Sequence, residues 1–252
     1  MAQINVTNKF LTDVHWLEAA LCDFKIDNGI DVWKMKAGLS PASIDKIRHM
    51  LAGDEIDRAN KFYQQKDRDR FITSRAALRI ILGKYLNIAP GAVEFSPGLN
   101  KKPFIKTGNQ HNLQYNLSHS GDAILLAVAD SAVGADVEFI NHDFGYREVL
   151  TDNFSTDEIK YITDIDSIVR FFKLWTRKEA ITKATAQGLD CDLRLLPGLD
   201  GTTAVEPGII ASNDDWLINS FNLDTHYMAS VAGSPLIGKV SFFNLQAADV
   251  TH

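Results

Sequence analysis

Cysteine is nearly absent: Cys22 and Cys191 are the only two in 252 residues. They lie far apart and belong to no Cys-x-x-Cys or Cys/His cluster, which argues against a disulfide scaffold or a zinc site and fits a reducing compartment. No apolar run approaches the ~20 residues that a membrane-spanning helix requires. The first ten residues carry one lysine and no apolar stretch follows. That is not the pattern of a secretory signal, so a cytoplasmic protein with no membrane partner is expected. Positive charge is also short. Lys and Arg number 26 against 32 Asp and Glu, a net −6, which does not suit a nucleic-acid binder. What remains is an ordinary globular composition, 45% hydrophobic and 23% charged, in a chain long enough for one large or two small domains.

The charge is unevenly spread. Between Lys66 and Lys106 stand nine basic residues and three acids, so that segment is +6 and the remainder −12. A basic stretch in an acidic chain fits a compact polyanion, although a solvated helix face would look the same. The chain also repeats itself. Asp54-Glu55-Ile56 returns as Asp157-Glu158-Ile159, 103 residues on, and Leu125–Ala129 is echoed 103 on by Met228–Ala232. Arg70-Phe71-Ile72 is echoed by Arg170-Phe171-Phe172, 100 on. A period this long excludes a solenoid and suggests two similar α+β halves joined near residues 130–134, with a cleft between them. Periodicity predicts a strand over Ile30–Met35 and helices over Asp67–Leu86 and Ser167–Thr185, the second stopping before Gly188. The expected division is an extension over 1–29, halves over 30–132 and 133–246, and a tail over 247–252.

Three constellations could carry chemistry. Gly134–Ile140 reads as a strand, so Asp136 and Glu138 point to one side. Two carboxylates that close need an offsetting charge, and oxygen-only ligands favour Mg²⁺ or Mn²⁺ over zinc. Taken as an isolated pattern, the pair is better explained by an exposed edge strand with both acids in water. In Trp175-Thr-Arg-Lys178-Glu179-Ala-Ile-Thr-Lys183, helical spacing stacks Trp175, Glu179 and Lys183 on one stripe, with Lys178 beside them. The carboxylate could bind metal and Lys183 could neutralise phosphate oxygens, or the two could form a surface ion pair. The third, Tyr115-Asn-Leu-Ser118-His119-Ser120-Gly121, offers hydroxyl, imidazole and turning N–H groups to an anion. Ser118 and His119 are not a nucleophile–base couple, because neighbours on an extended chain point to opposite sides.

Together these motifs resemble the Sfp-type 4′-phosphopantetheinyl transferase family, over residues 54–189 by motif and 30–243 by length and repeat. The resemblance implies two pseudo-symmetric α/β halves with the active site in the cleft between them. It implies that Asp136, Glu138 and Glu179 bind Mg²⁺ (or Mn²⁺), and that coenzyme A is the co-substrate. Lys183 would lie against its pyrophosphate, His119 with Ser118 would hold its 3′-phosphate, and Lys102, Arg70 and Arg58 would contact its nucleotide. The implied reaction moves phosphopantetheine to a serine of an acyl or peptidyl carrier protein and releases 3′,5′-ADP. Either Glu179 or a metal-bound water would take the serine proton, and Glu179 and Lys183 would be the catalytic pair. A monomer is expected, since the repeat is already an internal pseudo-dimer. Apolar residues after the metal strand (Phe144, Val149, Leu150) would dock the carrier or simply pack in the core. The family's glycine-rich helix end here reads Ala186-Gln187-Gly188, with one glycine replaced. A nucleotide phosphohydrolase and a coenzyme A-binding protein without turnover are the alternatives.

Overall fold

Alternation of apolar and polar residues builds the strands. The computed structural model, which describes residues 3–106, 112–188 and 191–251, assembles them into two five-stranded sheets. Strands β1 (Ile4–Leu11) and β2 (Trp16–Glu18) precede β3 (Gly29–Lys36). Helices α1 (Pro41–Arg48), α2 (Gly53–Asn60) and α3 (Gln65–Leu86) follow, then a small hairpin of β4 (Phe95–Pro97) and β5 (Pro103–Ile105). β6 (Gln114–Ser120) and β7 (Ala123–Ala129) complete the first pass. The second pass runs through β8 (Gly134–Phe139), α4 (Leu150–Asn153), α5 (Thr156–Asp164) and α6 (Ser167–Ala184). It continues with β9 (Gly201–Val205), β10 (Trp216–Asp224) and β11 (Tyr227–Gly233), and β12 (Lys239–Asn244) and α7 (Ala247–Thr251) follow.

The repeat read from the sequence is visible in the topology. β7 lies between β3 and β6 and pairs antiparallel with both. β11 lies between β10 and β8 in the same manner. These central strands are the echoed apolar segments, and period two splits each of them between two cores. Ile124, Leu126 and Val128 pack under α1 and α3. Leu125, Ala127 and Ala129 meet Ala229 and Val231 of β11 and Ala135 and Val137 of β8 in a core shared by the two sheets. On the outer side of the second sheet, Ala180, Ile181 and Ala184 of α6 pack with Ile218 and Ala232. The fold is therefore α+β: two sheets sharing an apolar core, with helices on their outer faces.

The helices keep the 103-residue register too, through a buried ion pair. Glu55, in the first turn of α2, accepts from the Ala52 amide and pairs with Arg75 and Arg79 of α3. Glu158, in the first turn of α5, accepts from the Ser155 amide and pairs at 2.9 Å with Lys178 of α6. Each glutamate thus closes its own helix start as in a capping box and anchors the following long helix. Lys178 is 1% exposed and also donates to the carbonyls of Leu193 and Leu196. It belongs to this anchor and has no part in the neighbouring stripe of Trp175, Glu179 and Lys183. The Arg70/Arg170 echo, at 100, is three residues out of the register the ion pairs keep.

Three expectations change. Residues 1–29 are not an appended extension: β1 pairs parallel with β10 and antiparallel with β9, inside the second sheet. Ile4, Val6 and Asn8 are buried there, an alternation that polar neighbours obscure in the sequence. β12, assigned to the second half, instead pairs parallel with β2 and β3 in the first sheet. The stop of α6 also differs from the expected Gly188. The Gln187 amide bonds to the Thr182 carbonyl at 3.1 Å, and the left-handed residue this closure requires is Ala186, at φ +55°.

Candidate active site

β8 separates its side chains by period two: Ala135 and Val137 enter the shared core, and Asp136 and Glu138 lie on the α6 side. The approach of α6 is set by Gly134. A methyl group on that residue would overlap the Ala180 carbonyl oxygen and the Ala184 backbone, so only glycine lets the helix pack this closely on the strand. In consequence the Lys183 ammonium reaches Asp136 Oδ1 at 2.6 Å and lies 4.0 Å from Glu179.

β8 is an edge strand, and β6 lies along its free edge. Side chains supply the bonds that a backbone ladder would otherwise make. The Ala135 amide donates to Asn116 Oδ1 at 2.9 Å, and the Phe139 amide donates to Ser120 Oγ at 3.1 Å. Between them Ser118 Oγ donates to Asp136 Oδ1 at 2.9 Å, and Ser120 Oγ donates to Glu138 Oε2 at 2.7 Å. Alternate residues of β6 therefore join the two halves and fix both carboxylates. His119 is on the other face of β6. Ser118 and His119 are thus not partners, as expected of neighbours on a strand. Holding one phosphate together, however, is not what their positions favour, because Ser118 is committed to Asp136 and Lys183.

Crowded negative charge governs the titration here. Burial first, and then the charge of Asp136, push the Glu138 carboxyl up to about 7, against its bond from Ser120 and the charge of Lys183. Burial likewise raises Glu179, with Lys183 opposing and Asp136 adding. Among the described residues Asp136 Oδ2 is buried with no hydrogen-bond partner, an orphan acceptor of the kind a cation satisfies. Among the described residues, no group of three or more His, Cys, Asp or Glu is gathered closely enough to hold a metal ion. The three carboxylates expected as a set are neighbours with Lys183 inserted among them, and not a preformed cage.

Two cavities lie near this cluster, and the second opens on Glu138. One, of about 410 Å³, is lined by Arg58, Arg70, Arg75, Ser74, Pro103 and His119 among others. Desolvation, followed by the positive charge of Arg70, holds the His119 imidazole below the usual histidine range. The other, of about 460 Å³, is more apolar and is lined by Ser120, Gly121, Glu138, Phe144, Phe172 and Trp175 among others. The chain turns from one cavity to the other at residues 119–121. Of the residues expected to bind the nucleotide, Arg58, Arg70 and His119 share the basic cavity. Lys102 does not: its ammonium donates at 3.0 Å to the carbonyls of Val133 and Ala184, and burial lowers it to about 8. Of the apolar trio, Phe144 is 41% exposed and Val149 lines the second cavity, whereas Leu150 is buried in the core. The sequence reading passed over Asn116 and Ser120. Their signal was present, since both share a strand face with Ser118.

Comparison with known proteins agrees with this arrangement. A family model described as "4′-phosphopantetheinyl transferase, N-terminal" matches residues 40–131. A second, for the 4′-phosphopantetheinyl transferase superfamily, matches residues 132–226. The 4′-phosphopantetheinyl transferase HetI of Nostoc is 28% identical over 82% of this chain and 88% of its own length. A 4′-phosphopantetheinyl transferase of Bacillus subtilis is 23% identical over 79% of this chain and 89% of its own. A shorter match, to the transferase AcpT of Salmonella typhi, reaches 35% over 42% of this chain and 54% of that protein. With both halves matched in order and the acidic cluster standing at their junction, the chain belongs to the 4′-phosphopantetheinyl transferase superfamily.

Proposed function

We propose that this protein transfers the 4′-phosphopantetheine arm of coenzyme A to a serine hydroxyl of an acyl or peptidyl carrier protein. The observation that carries the reading is the cluster of Asp136, Glu138, Glu179 and Lys183 against β6, a strand along which a basic cavity at His119 gives way to an apolar one at Ser120 and Glu138. Coenzyme A has matching ends, a phosphorylated nucleotide and an uncharged pantetheine arm, joined by the pyrophosphate that must react.

The orphaned Asp136 Oδ2, the neighbouring Glu138 carboxylate and the oxygen-only donor set fit Mg²⁺ or Mn²⁺, with Glu179 completing the set. Such an ion, when bound, offsets the carboxylate repulsion and polarises the pyrophosphate oxygens. Lys183 adds a fixed positive charge at the same point and stabilises charge developing on those oxygens. Arg58, Arg70 and His119 hold the nucleotide end in the basic cavity. The carrier serine attacks the β-phosphorus, the bond to the bridging oxygen breaks, and 3′,5′-ADP leaves. Among the described residues the Glu179 carboxylate meets no hydroxyl donor and lies 4.0 Å from the Lys183 ammonium, open to an attacking hydroxyl. It therefore takes the proton of the attacking serine. Phe144 and Val149, at the rim of the apolar cavity, contact the carrier.

The test is to incubate the protein with an apo carrier, coenzyme A and Mg²⁺ and to weigh the carrier. A gain of one phosphopantetheine supports the assignment. Carrier-independent hydrolysis of coenzyme A, with no gain on any of several carriers, would identify a phosphohydrolase instead.

A further inference from the structure

Helix α6 places Lys183 one residue from its C-terminal end, where carbonyls lack helical partners. Some of these are met locally: the Thr185 amide bonds to the Ile181 carbonyl and the Gln187 amide to the Thr182 carbonyl. The Ala184 carbonyl is met from the opposite half, as are those of Ala186 and Gln187 just beyond the helix. Asn100 Nδ2 donates to the carbonyls of Ala186 and Gln187 at 2.8 and 2.9 Å. Lys102 Nζ donates to the Ala184 carbonyl and also to that of Val133, one residue before β8. One ammonium thus joins the end of the helix bearing Lys183 to the start of the strand bearing Asp136. Its charge also lies favourably at the negative end of the helix dipole.

The loop is shaped for this contact. Gly98 brings its amide to the Lys102 carbonyl at 2.9 Å, and a methyl group on Gly98 would crowd that carbonyl at 2.7 Å. Asn100 is itself left-handed, at φ +47°, and faces the left-handed Ala186. Pro103, next to Lys102, lines the basic cavity, whereas Lys102 does not.

We propose that Asn100 and Lys102 are positioning residues for the transfer reaction, capping α6 from the opposite half and so setting Lys183 and Glu179 against β8. The kinetic part rests on the reading under Proposed function; the structural part does not. Lys102→Met should lower kcat by about 10-fold or more while KM for coenzyme A stays within about 2-fold, since a small misplacement of charged groups impairs the transition state more than binding. Lys102→Gln, which still donates to a carbonyl, should recover part of the loss. Asn100→Ala should speed hydrogen exchange at the Thr185 and Gln187 amides by roughly 10-fold, while core amides of α3 exchange as before.

A rise in KM for coenzyme A with kcat intact would overturn the proposal and make Lys102 a nucleotide contact. Unchanged exchange at Thr185 and Gln187 would overturn it as well. If the unaltered protein transfers nothing to any carrier, the functional reading fails, and the exchange experiment still decides whether the cap exists.

Discussion

Ser120 Oγ donates to Glu138 and accepts from the Phe139 amide, so one hydroxyl orients a site carboxylate and closes the edge of its strand. Ser120→Ala removes both bonds while leaving the cavity shape nearly unchanged. Turnover should fall by roughly 10–100-fold, the range for groups that orient metal ligands, with stability lowered by only about 1 kcal/mol. The two losses separate by comparing kcat with the midpoint of urea unfolding. Glu138 itself predicts a pH effect. Its folded value of about 7 lies above the ordinary 4.5, so the folded state retains a proton that the unfolded chain releases between those values. Stability of the metal-free protein should therefore fall as pH rises across that window, by roughly 1–3 kcal/mol from this group. Added Mg²⁺ should raise the melting temperature more at pH 8 than at pH 5.5. An equal rise at both values would remove Glu138 from the proposed metal site.

Among the elements, α6 carries the most. Its root is the buried Lys178–Glu158 pair, although in the sequence Lys178 is only one more charged residue beside the stripe of Glu179 and Lys183. Lys178→Ala would leave Glu158 buried beside only its two amide donors, from Ser155 and Gly198. The expected loss is about 3–5 kcal/mol, read by calorimetry. The stop of α6 predicts the opposite sign. Ala186 holds φ +55°, a conformation that disfavours a side chain, and Ala186→Gly should stabilise the protein by about 1 kcal/mol. The element bounds were mostly legible in the sequence: α6 ends one residue short of the expected Thr185, and β8 spans Gly134–Phe139 as its alternation suggests. Lys102 was not legible. A lysine beside a proline looks the same whether it binds phosphate or backbone carbonyls, and the choice depends on a helix end that arrives 82 residues later.

For the whole molecule, the 103-residue repeat was readable because each half buries the same small strand and the same glutamate anchor. The exchange of terminal strands was not, because nothing local in Ile4–Leu11 names a partner near residue 216. Removing residues 1–12 should abolish cooperative unfolding, since it takes out the strand between β9 and β10 and leaves Ile218 and Val205 uncovered. A truncated chain that still melts in one sharp transition would show that β1 is dispensable.

The terminal strands also constrain how the protein can be made. Val6 pairs with Trp216 and Gly29 with Lys239, each across 210 residues. On the ribosome, β1 emerges before both of its partners and must wait, unpaired, until β9 and β10 have been synthesised. The first sheet is likewise incomplete until β12 appears. Such distant pairing makes for slow folding and a long exposure of apolar edges to aggregation or to chaperones. Expressed as separate halves split near residue 132, the two pieces would each lack a strand, and neither would carry a whole catalytic cleft. The same threading means that transfer activity should arise only once β12 has been added, with no form lacking that strand able to consume coenzyme A.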